Sequence, residues 1–137
     1  MSRIETIEGE LREAMKARDA ERRDALRLIL NALKGSEKEL QVLQRERKRR
    51  VEAAEAFRAG GREEQAASEE RELAVLEEFM PSQLSEEEIE EIVDDAIAEV
   101  GATSMAQLGR VMADVMPQVA GRADGSVVSQ IVREKLA

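Results

Sequence analysis

The chain has 137 residues and a formal net charge of −9, with 42% hydrophobic and 37% charged residues, enough for one ordinary domain or two small ones around a modest core. Aromatics make up 1%, so that core must be built from Leu, Ile, Val, Ala and Met, which is helical material. The absence of Cys and His excludes thiol nucleophiles, disulfides, imidazole bases and the commonest zinc and iron ligands, and with no Trp or Tyr there are no stacking platforms for single-stranded bases.

No segment alternates with period two and several repeat at three and four, so an all-α chain is expected. The opening stretch, MSRIETIEGELREAMK, carries charges every few residues and no apolar run. It reads as neither signal peptide nor anchor, giving the expectation of a soluble, cytoplasmic protein without membrane contact. In the first helix Ile4, Ile7, Leu11, Ala14 and Met15 share a face, and Asp19 follows as a cap or a bend. Leu26, Ile29, Leu30 and Leu33 repeat the stripe until Lys34-Gly35 ends it. Ser36 with Glu39 has capping-box spacing and is expected to start a third helix through Leu40, Leu43, Val51 and Ala54 as far as Gly60-Gly61. A fourth helix, residues 62–80, carries Ala66, Leu73, Leu76 and Met80 and stops at Pro81.

At residues 81–85, PSQLS, helix termination coincides with a new cap and a change of charge. Residues 1–81 hold 17 basic and 19 acidic groups, and residues 82–137 hold 4 and 11. The expected division is an N-terminal helical domain, 1–80, and a small C-terminal three-helix bundle, 81–137. Its first helix has a capping box at Ser85 and Glu88, an apolar face through Ile89, Ile92, Val93, Ala96, Ile97 and Val100, and a stop at Gly101. Ser104 and Gln107 repeat the cap for Leu108, Val111, Met112, Val115 and Met116, ahead of Pro117. The last helix begins near Asp124 and buries Val128, Ile131, Val132 and Leu136.

RERKRR, residues 45–50, is the strongest basic cluster. Arg45, Lys48 and Arg49 fall together on one side of a helix and suit phosphates, although a solvated surface paired with Glu46, Glu52 and Glu55 explains the run first. The basic residues from Arg12 to Arg27 are diluted by acids and read as exposed surface. Glu86 to Asp95 supply seven acids, but no pocket or converging set of ligands, so capping and solubility account for them and neither a catalytic nor a metal site is assigned. Met112 and Met116 lie in register with the core, and the alanines from Ala53 to Ala67 suggest close helix contact or helix propensity. GRADG, residues 121–125, either links two helices, with Asp124 as cap, or offers free N–H groups and Arg122 to an anion; spacing favours the link.

SMAQLGRVMADVMPQVAGRADGSVVSQIV, with LREAMKARDAERRDALRLILNALK before it and VEAAEAFRAGGREEQAASEERELAVLEEFMPSQLSEEEI between them, resembles the YqeY family. These are stand-alone relatives of the tail of GatB, a subunit of the glutamine-dependent tRNA amidotransferase. The resemblance covers nearly the whole chain and implies an all-α fold in two parts, with a C-terminal domain like that tail. It implies tRNA contact rather than catalysis by this chain, although the family association is with carbon–nitrogen ligase activity using glutamine as amide donor. Carried over position by position, the nucleic-acid face is Arg110 of GRVM, Arg122 of GRADG, Arg133 and Lys135. Gln118 and Ala120 stand where the family pattern is often basic, which weakens phosphate binding beside Arg122, and the link between Lys34 and Val42 is short for the family.

The expectation is therefore a non-catalytic accessory module without cofactor, binding tRNA or a tRNA-containing complex through Arg45, Lys48, Arg49, Arg110, Arg122, Arg133 and Lys135. A protein-interaction module using the acidic C-terminal domain is the alternative. An amidotransferase acting alone comes last, since no amidase signature or phosphate-binding loop is present.

Overall fold

In the computed structural model, which describes residues 1–137, local caps and apolar stripes set seven α-helices: α1 (Arg3–Lys16), α2 (Ala20–Leu33), α3 (Glu39–Ala59), α4 (Glu63–Glu77), α5 (Glu86–Val100), α6 (Leu108–Val119) and α7 (Gly125–Leu136). A 3₁₀ turn, Met105–Gln107, precedes α6, and there is no strand. The fold is all-α. The chain divides into two compact units, Met1–Pro81 and Ser82–Ala137.

In the first unit Ser2 opens α1 by accepting the Glu5 N–H on Oγ at 3.1 Å. The helix closes where the Asp19 N–H reaches Ala14 O at 3.0 Å and the Arg18 N–H reaches Met15 O at 3.2 Å. That closure holds Arg18 at φ 58°, a left-handed conformation that glycine adopts more easily. Asp19 is the cap of α2, its Oδ1 accepting the Arg22 N–H at 3.1 Å. Ile7, Ala14, Leu26, Ile29, Leu33, Val42, Leu43 and Leu76 bury together as the core of this unit.

Three expected boundaries move. The Ser36–Glu39 capping box does not form: Ser36 Oγ accepts the Lys38 N–H at 3.1 Å, and Glu39 reaches Arg3 of α1 at 3.1 Å instead of folding back. A long-range guanidinium outcompetes the local donor, and α3 begins at Glu39 without a side-chain cap. The fourth helix runs over Glu63–Glu77 rather than 62–80, because residues 78–80 tighten into i→i−3 bonds ahead of Pro81, and Phe79 O accepts Arg3 Nε–H at 2.9 Å. Pro117 does not end its helix. It lies inside α6, where its missing N–H forfeits one intrahelical bond, and Val119 beyond it is fully buried.

In the second unit the Ser85–Glu88 box forms in both directions, with the Glu88 N–H on Ser85 Oγ at 3.2 Å and the Ser85 N–H on Glu88 Oε1 at 3.1 Å. Gly101 ends α5 at φ 73°. Gln107 Oε1 accepts the N–H groups of Thr103 (2.6 Å) and Ser104 (3.3 Å), so the cap read from Ser104 and Gln107 belongs to the 3₁₀ turn. Twelve residues, from Ile89 on α5 to Leu136 on α7, form one buried cluster, with Val93, Val111, Val115, Val119, Val128 and Val132 fully enclosed. Met112 packs against that cluster from a half-buried position, whereas Met116, expected on the core face, is 36% exposed.

Candidate nucleic-acid interface

A 21-residue α3 is about 32 Å long at 1.5 Å per residue. Leu43, Arg50 and Ala54 recur at i, i+7 and i+11 and are buried; at about 100° per residue, Arg45, Lys48 and Arg49 fall on the opposite side, and all three are exposed. Arg49 stands 3.7 Å from Glu46. The other two basic residues of the run turn inward. Arg47 is half-buried, 3.7 Å from Glu77. Arg50, which composition alone would leave on the solvated surface, is 7% exposed, with Nη1 donating to Glu46 Oε2 at 2.8 Å and to Glu46 O at 3.2 Å. The run thus splits into an outward cationic face and a buried set that holds α3 to α4.

The same division of labour is hidden among the basic residues of α1 and α2. Arg22, grouped by its mixed-sign neighbours with an exposed surface, donates to both oxygens of Glu78 at 2.7 and 3.1 Å and to Glu10 at 3.1 Å. Those bonds raise its guanidinium further above its ordinary range, the Glu78 bond first. No spacing rule connects positions 10, 22 and 78. A buried arginine at i+7 from Leu43 is, by contrast, visible in the helical period.

In the second unit the four basic residues differ in what they are free to do. Lys135 is 3.0 Å from Asp94, and that bond raises its ammonium above the usual lysine range. Arg133 Nε donates to Ser129 Oγ at 3.2 Å. Arg122 Nε lies 3.4 Å from Ser82 O. Arg110 is exposed in the first turn of α6, about 14 Å along the helix from Val119 at 1.5 Å per residue. Beside it, Gly109 has nothing within 4 Å of where a Cβ would sit and no positive φ. A helical glycine that neither the fold nor the backbone requires, next to an exposed arginine, leaves the start of α6 open to close approach from outside.

GRADG is a link. Gly121 takes φ 71° and its carbonyl accepts Gln83 Nε2–H at 2.8 Å; Arg122 O accepts the Leu84 N–H at 2.8 Å. Asp124 Oδ1 takes both the N–H and the hydroxyl of Ser126 at 2.9 Å. Its carboxylate therefore fills the start of α7 where an anion would have to sit. The acids of α5 are equally local: Glu86, Glu87 and Glu88 occupy its first turn, and Glu88 is held below the ordinary carboxylate range chiefly by accepting the Ser85 N–H. No group of three or more metal-ligating side chains converges, and no helix is long and apolar enough to cross a membrane.

A family model described as Yqey-like protein matches residues 4–136. Among curated proteins, a glutamyl-tRNA(Gln) amidotransferase subunit of Thermococcus gammatolerans is 36% identical over 88 residues, covering 61% of this chain and 14% of that protein. Its counterpart in Thermococcus sibiricus is 37% identical over 68 residues, covering 47% of this chain and 11% of that one. The match is thus confined to a small part of each of these relatives.

Proposed function

We propose, for a chain that belongs to the Yqey-like protein family, a role as an accessory module of tRNA amidation that performs no chemistry of its own and grips tRNA, or a tRNA-containing complex, by its phosphates. A place in the cytoplasm goes with that role. The names of the two relatives, both glutamyl-tRNA(Gln) amidotransferase subunits, supply the setting. The observation that carries the reading is the outward face of α3, where Arg45, Lys48 and Arg49 stand exposed while Arg47 and Arg50 face α4. Arg110, with Gly109 beside it, adds a contact in the second unit. Arg122, Arg133 and Lys135 remain proposed contacts of the second unit, each also bonded to a neighbour there.

Binding to total tRNA across a salt series tests this. The affinity is expected to fall linearly with salt on logarithmic axes, and replacing Arg45, Lys48 and Arg49 by Gln reduces the slope by roughly two to three, about one for each lost phosphate contact. Arg110→Ala reduces it by about one at most. Absence of binding at low salt, or a triple variant that binds like the parent, overturns the reading. In that case the acidic outer side of α5 becomes the better surface: Glu87, Glu90, Glu91, Asp94 and Asp95 are all exposed, a field that repels phosphate and suits a basic protein partner.

A further inference from the structure

A cleft of about 320 Å³ opens between α2, α3 and α4, lined by Leu28, Glu46, Arg49, Arg50, Ala53, Glu69 and Glu72, with Glu46 on Arg50 Nη1 at 2.8 Å and 3.7 Å from Arg49. Its walls leave two opposite electrostatic demands unmet. Arg50 is buried, and its Nε has no hydrogen-bond partner. The facing carboxylate, Glu72 Oε2, is 3.6 Å away, an ion pair too long for a hydrogen bond. On α4, Glu69 and Glu72 are one turn apart. Burial, and after it the charge of Glu69, pushes the Glu72 carboxyl above its ordinary value against the pull of Arg50. Beside these groups Leu28 is 46% exposed, an apolar wall half open to solvent.

An inorganic anion would satisfy the Arg50 Nε–H and Arg49 but would meet three carboxylates, Glu46, Glu69 and Glu72. A simple cation would settle Glu69 and Glu72 and leave the Arg50 Nε–H unanswered. An apolar molecule would answer neither, at the cost of burying both. We infer that this cleft binds a small zwitterion, an α-amino acid with an aliphatic side chain, its carboxylate on the Arg50 and Arg49 guanidiniums and its ammonium between Glu69 and Glu72. The ligand enters the open Arg50–Glu72 pair, drawing Glu72 away from the guanidinium and replacing one charge pair by two. The aliphatic side chain covers Leu28 and Ala53. The volume sits at the small end of ligand clefts, about 300–1,000 Å³, as a single amino acid requires. Arg49 is shared with the outward face of α3, but Leu28 and Glu69 lie on other helices, so variants there test the amino-acid site separately from nucleic-acid binding.

The test is calorimetric titration of the full chain with L-leucine and with two analogues that each lack one charge, 4-methylpentanoate and 3-methylbutylamine. Leucine is expected to bind saturably, at least about tenfold tighter than either analogue, a factor worth about 1.4 kcal/mol. Leu28→Arg lays a charged chain across the cleft and competes for the ammonium's carboxylates, and Glu69→Gln removes one half of the ammonium site. Each weakens leucine at least about tenfold, whereas Gln130→Ala, in the other unit, leaves it unchanged. Amide shifts on adding leucine concentrate in residues 46–53 and 69–72, a readout that stands even where one variant fails to fold. No saturable heat up to about 20 mM leucine, a ceiling an order of magnitude above a 1 mM site, overturns the proposal. So does an analogue that binds as well as leucine, or a shift pattern centred elsewhere.

Discussion

The two units reach a folded state by different means. Ser82–Ala137 buries twelve residues in one apolar cluster and closes its helices with local caps at Ser85, Gly101 and Asp124. Met1–Pro81 is longer, yet its main cluster holds eight buried residues, and its helices are joined by cross-helix ion pairs: Arg3–Glu39, Arg22–Glu10, Arg22–Glu78, Arg47–Glu77, Arg50–Glu72 and Arg71–Glu21. Where Leu and Val are scarce on the facing sides of α3 and α4, guanidiniums take their places. Such pairs gain less per contact than apolar burial and respond to salt and pH, so the first unit is the one whose surfaces are open to rearrangement by a charged ligand.

Breaking that contrast begins with the buried arginine. Arg50→Ala takes from the partly buried Glu46 carboxylate its 2.8 Å partner, leaving it Arg49 at 3.7 Å, and is expected to cost about 3 kcal/mol, as much as Leu76→Ala, also about 3 kcal/mol, in the same unit. Urea denaturation decides it: an Arg50→Ala cost within about 0.5 kcal/mol of zero, the ordinary range for a surface substitution, would make the polar seam ornamental. On the apolar side, Ser85→Ala removes a two-way cap and costs about 1 kcal/mol, seen as a lower melting temperature. Smaller still, Gly109→Ala has room for its methyl group and stabilises the protein by about 0.5–1 kcal/mol; weakened tRNA binding in that stabilised variant would show that the glycine serves approach from outside.

The gentlest probe is titration. Carbon-detected NMR should find Glu72 titrating above and Glu88 below the ordinary glutamate value of 4.5. Glu88 contributes stability that is present above its unfolded value and lost as pH falls through its lower folded value. Glu72 has the opposite sign, opposing folding at neutral pH and ceasing to do so as pH falls through its raised value. Glu69→Gln brings Glu72 down and leaves Glu88 unmoved; a Glu72 that does not respond would remove Glu69 as a cause of its shift.

How much of this is legible in the sequence depends on distance along the chain. The caps at Asp19, Ser85 and Asp124 and the stop at Gly101 are decided within a few residues, and the apolar stripes of α1, α2, α5 and α7 follow the helical period. Local reading fails where a partner from afar intervenes: Arg3 takes Glu39 from Ser36, and Glu78 takes Arg22 from the solvent. Among RERKRR, composition makes the five basic residues alike, and α3 exposes three of them. Their separation is legible only by extending the stripe from Leu43 through Arg47 and Arg50 to Ala54, across residue types that do not announce burial. In GRADG both readings share the same residues, and the deciding partners, Gln83 and Leu84, lie about forty positions away in the chain, beyond the reach of any local turn rule.

Both helices of the α3–α4 pair carry enclosed alanines, with Ala54 and Ala66 buried and Ala53 and Ala67 half-buried. A seam of methyl groups is nearly indifferent to sliding one helix past the other by a turn, about 5.4 Å, because each methyl finds another like it. The arginines are not indifferent. Arg47, Arg50 and Arg58 find Glu77, Glu72, Glu63 and Glu70 in one alignment, and a slide of one turn would part every one of these pairs together. The charges that add little to cohesion thus act as the notches of a key, and the hairpin keeps a single register that its apolar residues alone would not choose.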